Sequence, residues 1–174
     1  MTEPLQHQSV LAAESLKLLR LRHGEVYADA TAGLGSHAAV AAELVAPDGA
    51  VVLNDLDESM LVRAAARVRE WQPGVRVEPV HGSFAGLPLA MGERALVADG
   101  FLADLGFSSP QVDDPGRGFS FRHDGPLDMR LDPTRGVSAA ELLATANESE
   151  IAEILWSFGE ERGSRRIARK VVAA

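Results

Sequence analysis

The sequence contains no cysteine among its 174 residues. Disulfide frameworks and thiolate metal sites are therefore excluded, and the absence suits a reducing compartment. No apolar run approaches the roughly 20 residues that a membrane-spanning helix needs. The first eight residues are polar and acidic, unlike a signal peptide. We therefore predict a cytoplasmic protein that has no membrane partner.

Positive charge is also scarce, with 17 basic against 25 acidic residues and a net charge of −8. A molecule of this charge is not a general polyelectrolyte binder of nucleic acid. The exception is the segment from Glu160 to Ala174, whose five basic residues are Arg162, Arg165, Arg166, Arg169 and Lys170. A basic helix on an acidic body indicates a phosphate contact, and a solvated helix face explains it equally well.

The length and the 46% of hydrophobic residues indicate one domain, or one domain with an appendage. Apolar runs alternate with helical patterns, which is typical of an α/β fold. The four predicted strands lie at 25–30, 51–55, 75–80 and 96–104. We predict an α/β domain at 1–112, an irregular active-site or substrate segment at 113–137, and the start of a helical subdomain at 138–174.

The segment Asp29–His37 joins the first predicted strand to a helix through Gly33 and Gly35. Glycines at such a turn let the backbone approach a ligand closely, because no Cβ intervenes. Asp55 ends the second strand, where an acidic residue can bond two ribose hydroxyls. Together these features predict a site for a ligand that contains adenosine.

The ends of the later strands carry further candidates. Phe84 follows the third strand, where it would stack on an adenine, although a core position is the commoner outcome for such a residue. Asp104 ends the fourth strand and is followed by Gly106, Ser108 and Ser109. An acidic residue and small hydroxyls here suit the floor of an active site, whereas a helix cap or turn is the structural alternative. We predict Asp104, Ser108 and Ser109 as catalytic residues.

The segment from Asp113 to Arg130 has neither a helical nor a strand period. Ordered segments of this length without regular structure are usually functional loops. Arg117, Arg122 and Arg130 are candidate contacts to the phosphates of a substrate RNA. Pairing with the acidic residues of the same segment is equally plausible.

Eight motifs resemble those of the bacterial small-subunit ribosomal RNA methyltransferase H family, also called MraW. They are His7–Leu11, Asp29–His37, Asp55–Asp57, His81–Phe84, Asp104–Asp113, Arg117–Phe121, Gly125–Arg130 and Gly159–Arg162. The match covers essentially the whole chain. Ser36 departs from the family by replacing a glycine, and Gly163 and Ser164 replace a Phe-Ala pair. The chain also stops at Ala174, where members of that family continue.

The resemblance implies a Rossmann-like methyltransferase sheet, of which this chain has the first strands only, and a small inserted helical subdomain. It implies S-adenosylmethionine as methyl donor and cytosine N4 of small-subunit (16S) ribosomal RNA as acceptor. The RNA would be free or within an assembling small subunit, and no metal is needed. The donor-binding residues that it implies are Gly35, Ser36, His37, Asp55, Phe84, Asp104 and Gln111. We add Gly33 because it belongs to the same turn.

Two other functions remain open from the sequence. A nicotinamide-dependent oxidoreductase is one, because Gly33, Gly35 and Ala38 match the dinucleotide fingerprint with Asp55 on the ribose. That reading gives no role to Asp104. The other is a truncated, non-catalytic module that holds the donor or a ribosomal partner. A sheet that lacks its later strands also predicts self-association through the open edge.

Overall fold

The computed structural model describes residues 11–174. His7, in the first of the eight motifs, lies outside the described residues. The chain forms two compact units, one that ends at Ser108 and one that runs from Ser109 to Ala174. The predicted boundary at residue 112 stays a prediction.

The first unit is built on a parallel sheet of four strands, which lie in the order β3-β2-β1-β4. The strands are β1 (Val26–Asp29), β2 (Ala50–Asp55), β3 (Arg76–His81) and β4 (Gly100–Leu102). The reversal of order next to β1 is the point at which Rossmann-like folds place their ligands. All carboxyl ends of these parallel strands lie at one edge of the sheet.

Helices on both faces bury the sheet. They are α1 (Ala12–Leu19), α2 (Ser36–Val45), α3 (Glu58–Trp71) and α4 (Leu87–Glu93). Val51 and Leu53 of β2 share one apolar cluster with residues of α2 and α3. Val52 points to the other face, where it shares a cluster with Leu87 and Met91. This two-faced arrangement confirms the predicted α/β class.

The fourth strand is shorter than predicted, because side chains and loop backbone take over the bonding at both ends. Before it, the Asp99 carboxylate accepts a hydrogen bond from the Val26 N–H at 2.8 Å. After it, the Asp104 N–H donates to the Thr31 hydroxyl at 2.8 Å instead of to a strand carbonyl. Only three residues, Gly100–Leu102, therefore keep regular pairing with β1.

The second unit is helical after an irregular segment. Its helices are α5 (Ser109–Asp113), α6 (Ala139–Thr145), α7 (Glu148–Ser157) and α8 (Ser164–Val172). Ser138 and Asn147 each form a capping box, at the starts of α6 and α7. Helices α7 and α8 enclose a small apolar cluster of Ile151, Ala152 and Ala168.

Helix α8 begins at Ser164 rather than at the predicted Glu160. Glu160 has a φ of 51°, in the left-handed region, so the chain cannot continue as a right-handed helix there. Within residues 11–174, every helix is too short or too polar to cross a membrane.

Candidate functional site

The turn between β1 and α2 is fixed by a side chain from the next strand. The Gly33 N–H donates to Asp55 Oδ2 at 2.8 Å, and Gly33 has a left-handed φ of 51°. A Cβ at this position would meet nothing closer than the Thr31 carbonyl oxygen at 4.0 Å. The conformation favours glycine, and the space beside the turn is open.

Gly35 is required for a different reason. Its φ is 73°, and a Cβ here would lie 2.9 Å from the Ala64 Cα of helix α3. A backbone atom cannot swing aside as a flexible side chain can. The close packing of α3 against the turn therefore demands glycine at 35, whatever else approaches this turn.

Helix α2 begins with two of the predicted donor contacts. The Ser36 hydroxyl accepts a hydrogen bond from Arg67 Nη1 of α3 at 3.0 Å. His37 follows in the same first turn and is buried. The serine that replaces the family glycine thus gives α2 a polar contact with α3.

Both carboxylate oxygens of Asp55, at the end of β2, accept hydrogen bonds from backbone N–H groups. Oδ2 accepts the Gly33 N–H, and Oδ1 accepts the Asp57 N–H at 2.9 Å. Burial raises the pKa of Asp55, and these backbone donors partly offset that rise. Each oxygen has two lone pairs, so the carboxylate can still accept from a ligand.

Asp29, at the end of β1, is 1% exposed. Its carboxylate accepts from the Thr31 N–H at 3.2 Å and from the Tyr27 hydroxyl at 3.3 Å. Burial raises the pKa of Asp29 to about 7, and the charges of Asp55 and Asp104 add to the rise. The predicted site residues did not include Asp29, although its place directly before the turn was the signal that could have included it.

Asp104 presents an exposed side chain in the loop that follows β4. Its N–H donates to the Thr31 hydroxyl at 2.8 Å. This bond ties the loop after β4 to the turn after β1. Further along this loop, the Ser108 hydroxyl donates to the sulfur of Met60 at 3.7 Å. The structure therefore brings Gly33, Asp55 and Asp104 to one edge of the sheet.

A buried amide connects β2 to the loop that carries Phe84. Asn54 Nδ2 donates to the carbonyls of Val80 at 2.8 Å and Gly82 at 3.0 Å. Asn54 Oδ1 is buried and has no hydrogen-bond partner among residues 11–174. Phe84 follows at the start of a 3-10 turn and is 48% exposed, so its ring is open to a ligand.

The electrostatic character of this edge is acidic. Three of its carboxylates, on Asp29, Asp55 and Asp104, are close enough for their charges to interact. Such an arrangement favours a ligand with positive charge and with hydroxyl donors. Within residues 11–174, no group of three or more metal-ligating side chains is arranged to hold a metal ion.

The remaining predicted residues lie in the second unit. Ser109 and Gln111 belong to α5, and Gln111 is buried. Arg117 Nη1 donates to the Leu131 carbonyl at 3.0 Å, and Arg117 Nε lies 4.0 Å from the Asp114 carboxylate. Arg122 is exposed and forms no ion pair within the described part of the chain.

Arg130 binds Asp128 with two parallel hydrogen bonds. Nε donates to Oδ1 at 2.8 Å and Nη2 to Oδ2 at 2.6 Å. Hydrogen bonds from Arg130 lower the pKa of Asp128 to about 2. Arg117 and Arg130 thus hold their own segment together, whereas Arg122 is uncommitted.

Comparison with known proteins agrees with the motifs. The profile of the MraW methylase family matches residues 4–174. The protein named ribosomal RNA small subunit methyltransferase H of Xanthomonas euvesicatoria pv. vesicatoria is 46% identical over 170 residues, which are 98% of this chain and 49% of that protein. Its namesake in Geotalea uraniireducens is 45% identical over 167 residues, 95% of this chain and 53% of that protein.

Solved structures are more distant. A SAM-dependent methyltransferase from Aquifex aeolicus has a TM-score of 0.37 and 24% identity, and the match covers 41% of this chain and 38% of that one. A SAM-dependent methyltransferase from Geobacter sulfurreducens, in complex with S-adenosyl-L-homocysteine, has a TM-score of 0.37 and 14% identity over 93% of this chain and 81% of that one.

The chain spans about half the length of the curated relatives that it matches. The family profile nevertheless extends over nearly all of its residues. The chain therefore belongs to the MraW methylase family.

Proposed function

We propose that this chain binds S-adenosylmethionine at the glycine turn and takes part in the methylation of cytosine N4 in small-subunit ribosomal RNA. The observation that carries the proposal is the acidic edge formed by Asp29, Asp55 and Asp104 around an open glycine turn. S-adenosylmethionine carries a sulfonium and an ammonium group, which these carboxylates attract. The names of the relatives support the choice of ribosomal RNA as the acceptor.

The same edge argues against a nicotinamide dinucleotide. A pyrophosphate carries two negative charges, and carboxylates this close would repel it. The dinucleotide fingerprint is also weaker evidence than it looked, because packing against Ala64 already requires a glycine at position 35. A cationic donor is the better match to the charges.

Different residues of the proposed site would contact different parts of the donor. The free lone pairs of Asp55 would accept from two ribose hydroxyls, and the exposed ring of Phe84 would stack on the adenine. Gly33, Gly35, Ser36 and His37 would border the methionine part. Gln111 joins the donor-binding set by its place in the family motif alone.

The donor supplies an electrophilic methyl group on its sulfonium. The lone pair of a cytosine amine is delocalised into the ring, so a group that accepts its hydrogens raises its nucleophilicity. We assign that role to the exposed Asp104 carboxylate, with Ser108 and Ser109 as further polar contacts. Holding the amine in line with the methyl group then supplies much of the rate.

The acceptor base must leave its stack before it can reach such a site. The segment at 113–137 is our candidate wall for the cytosine pocket. Arg117 and Arg130 would shape this wall through their internal bonds, and Arg122 would be free to contact a phosphate. The proposed partner is ribosomal RNA, free or in an assembling small subunit, and the proposed location is the cytoplasm.

Calorimetric titration of the chain with S-adenosylmethionine and with NADH tests the donor assignment. We expect binding of the first and none of the second. An Asp104→Asn variant of the full-length protein should lose methyl transfer to small-subunit RNA to a far greater extent than it loses affinity for the donor. Binding of NADH alone would overturn the proposal. Donor binding without any transfer by the unmodified chain would instead favour the non-catalytic module.

The exposed edge of β4 supports a further part of the proposal. Within residues 11–174 this strand pairs only with β1, and nearby Val97 and Phe101 are exposed. Unpaired strand edges beside apolar side chains recruit other chains. We expect the isolated chain to self-associate, and light scattering that shows a monomer at all concentrations would contradict this.

A further inference from the structure

The second unit contains a groove between α7 and α8 that the donor site does not use. Its volume is about 620 Å³, within the roughly 300–1,000 Å³ typical of ligand sites. The groove is bordered by Trp156 of α7, by Arg162, and by the first residues of α8. We call it the Trp156 groove.

The start of α8 lies inside the Trp156 groove. The Glu161 carboxylate accepts the N–H of Gly163 at 2.5 Å, and no side chain of Gly163 caps the N–H groups that follow it. Ser164 lines the groove and is only 6% exposed, and its hydroxyl makes no hydrogen bond to another described residue. The N–H groups of Gly163 and Ser164 are bonded to Glu161. The Ser164 hydroxyl and the later N–H groups of the first turn are donors suited to a phosphate.

Three arginines surround this N-terminus. Arg162, Arg165 and Arg166 line the groove, are exposed and form no ion pair within residues 11–174. By contrast, Arg169 on the same helix is 3.5 Å from the Glu148 carboxylate. Glu153 lines the groove and the Glu161 carboxylate is bonded to Gly163, so three arginines face two carboxylates and the balance is positive.

Trp156 adds an aromatic surface to this basic groove. Its side chain is 58% exposed although it lies on a helix whose other face is buried in the α7–α8 cluster. Exposed tryptophan next to unpaired arginines is the combination with which proteins stack bases and hold the backbone of single-stranded nucleic acid. A site for inorganic phosphate alone would have no use for the indole.

We propose that the Trp156 groove binds one nucleotide of single-stranded RNA. Its phosphate lies at the start of α8, against Ser164, Arg165 and Arg166, and its base stacks on Trp156. This assignment rests on the proposed function, which supplies RNA as the substrate class. It gives the chain a contact with the RNA through residues that the proposed donor site does not use.

Tryptophan fluorescence can test the groove directly, because the chain has only two tryptophans, Trp71 and Trp156. In a Trp71→Phe background, the remaining indole reports on the groove. We expect a single-stranded RNA oligonucleotide to quench this fluorescence, whereas polyphosphate of matched charge does not. Quenching by both, or by neither, would overturn base stacking on Trp156.

A pair of matched double variants tests the phosphate contact. Arg165→Gln/Arg166→Gln removes two groove charges, and Arg169→Gln/Lys170→Gln removes two charges of the same helix outside the groove. We expect the first to weaken RNA binding about tenfold or more and to lower the slope of log K against log salt by about 0.7, the value for one phosphate contact on a single strand. Equal losses in both variants would contradict the groove assignment.

Two further measurements separate this inference from other outcomes. Ser164→Ala, which keeps the burial, should weaken RNA binding without changing the melting temperature. Donor binding measured on the same samples reports on the proposed function alone. Donor binding without quenching by RNA overturns the groove and leaves the function standing, and quenching without donor binding does the reverse.

Discussion

The two units are stabilised in different ways. The first has apolar clusters on both faces of its sheet, which together bury 23 residues. The second has one cluster of three buried residues, and its polar contacts are local ones, such as the capping boxes and the Arg130–Asp128 pair. Burial in the first unit shifts the pKa values of its carboxylates, whereas the charged side chains of the second unit are open to water. We therefore expect substitutions to change the stability of the first unit more than that of the second.

The largest effect is expected at Gly35. Gly35→Ala imposes a left-handed conformation that costs about 1–2 kcal/mol and forces a Cβ against the backbone of α3, which adds about 1–3 kcal/mol of overpacking. Urea unfolding should show a fall in the free energy of unfolding of about 2–5 kcal/mol.

Gly33→Ala is the matched control for Gly35, because it has the same class of φ but open space around its Cβ. We expect it to cost about 1–2 kcal/mol. Equal losses at the two glycines would mean that α3 moves away from the turn at little cost.

Asp29 should make the first unit sensitive to pH. Its pKa in the folded state is raised to about 7, so the native state holds a proton that the unfolded state releases near pH 4. The stabilisation is complete below about pH 4 and is lost as the pH rises through about 7. Unfolding between pH 4 and 8 should show this decline, and Asp29→Asn should flatten it.

Donor affinity should follow the opposite trend. Ionised Asp29 attracts a cationic ligand, so the affinity for S-adenosylmethionine should rise from pH 6 to pH 8. In Asp29→Asn the affinity should be lower and independent of pH across this range. A parallel rise in both proteins would assign the titration to another group.

A smaller effect is expected at the caps of the second unit. Asn147 accepts from the N–H groups of Ser149 and Glu150 at the start of α7. Asn147→Ala should cost about 1 kcal/mol. Hydrogen exchange should locate the loss in α7 and α8. Faster exchange throughout the first unit as well would contradict the separation of the two.

The smallest effect is expected for the exposed pair Arg130 and Asp128. Arg130 keeps the pKa of Asp128 at about 2, so the contribution of this pair is present above about pH 4 and lost as the pH falls towards 2. Arg130→Gln should leave stability at pH 7 nearly unchanged. Thermal melts at pH 7 and pH 3 would check both statements. A large fall in melting temperature at pH 7 would mean that the Arg130–Asp128 pair holds the whole irregular segment in place.

Periodicity predicted most elements of the fold but not those that depend on distant partners. The predicted first three strands were confirmed, because apolar runs act locally. Helix α4 was missed, since it contains Pro88 and Gly92 and buries only Leu87 and Met91. The fourth strand was predicted too long, because its limits are set by hydrogen bonds of Asp99 and Thr31 to residues of other strands and loops.

The sequence predicted where the candidate site residues lie better than it predicted what each of them does. The sequence predicted Gly33, Asp55 and Asp104 for one edge, and all three lie at or after the carboxyl ends of parallel strands. Their binding of a ligand stays a prediction. It assigned Asp55 to a ligand, yet both oxygens of this carboxylate also hold backbone N–H groups. Asp29 was missed because its raised pKa comes from burial, which a single sequence does not display.

The bond from the Asp104 N–H to Thr31 has a kinetic consequence. Together with the Asp55 bond to Gly33, it holds the loops after β1, β2 and β4 in place before any ligand arrives. Binding then immobilises little additional backbone, and such preorganised sites lose less entropy on association. A ligand should therefore enter this edge in a single fast phase, at a rate set by diffusion and charge rather than by the closing of a loop.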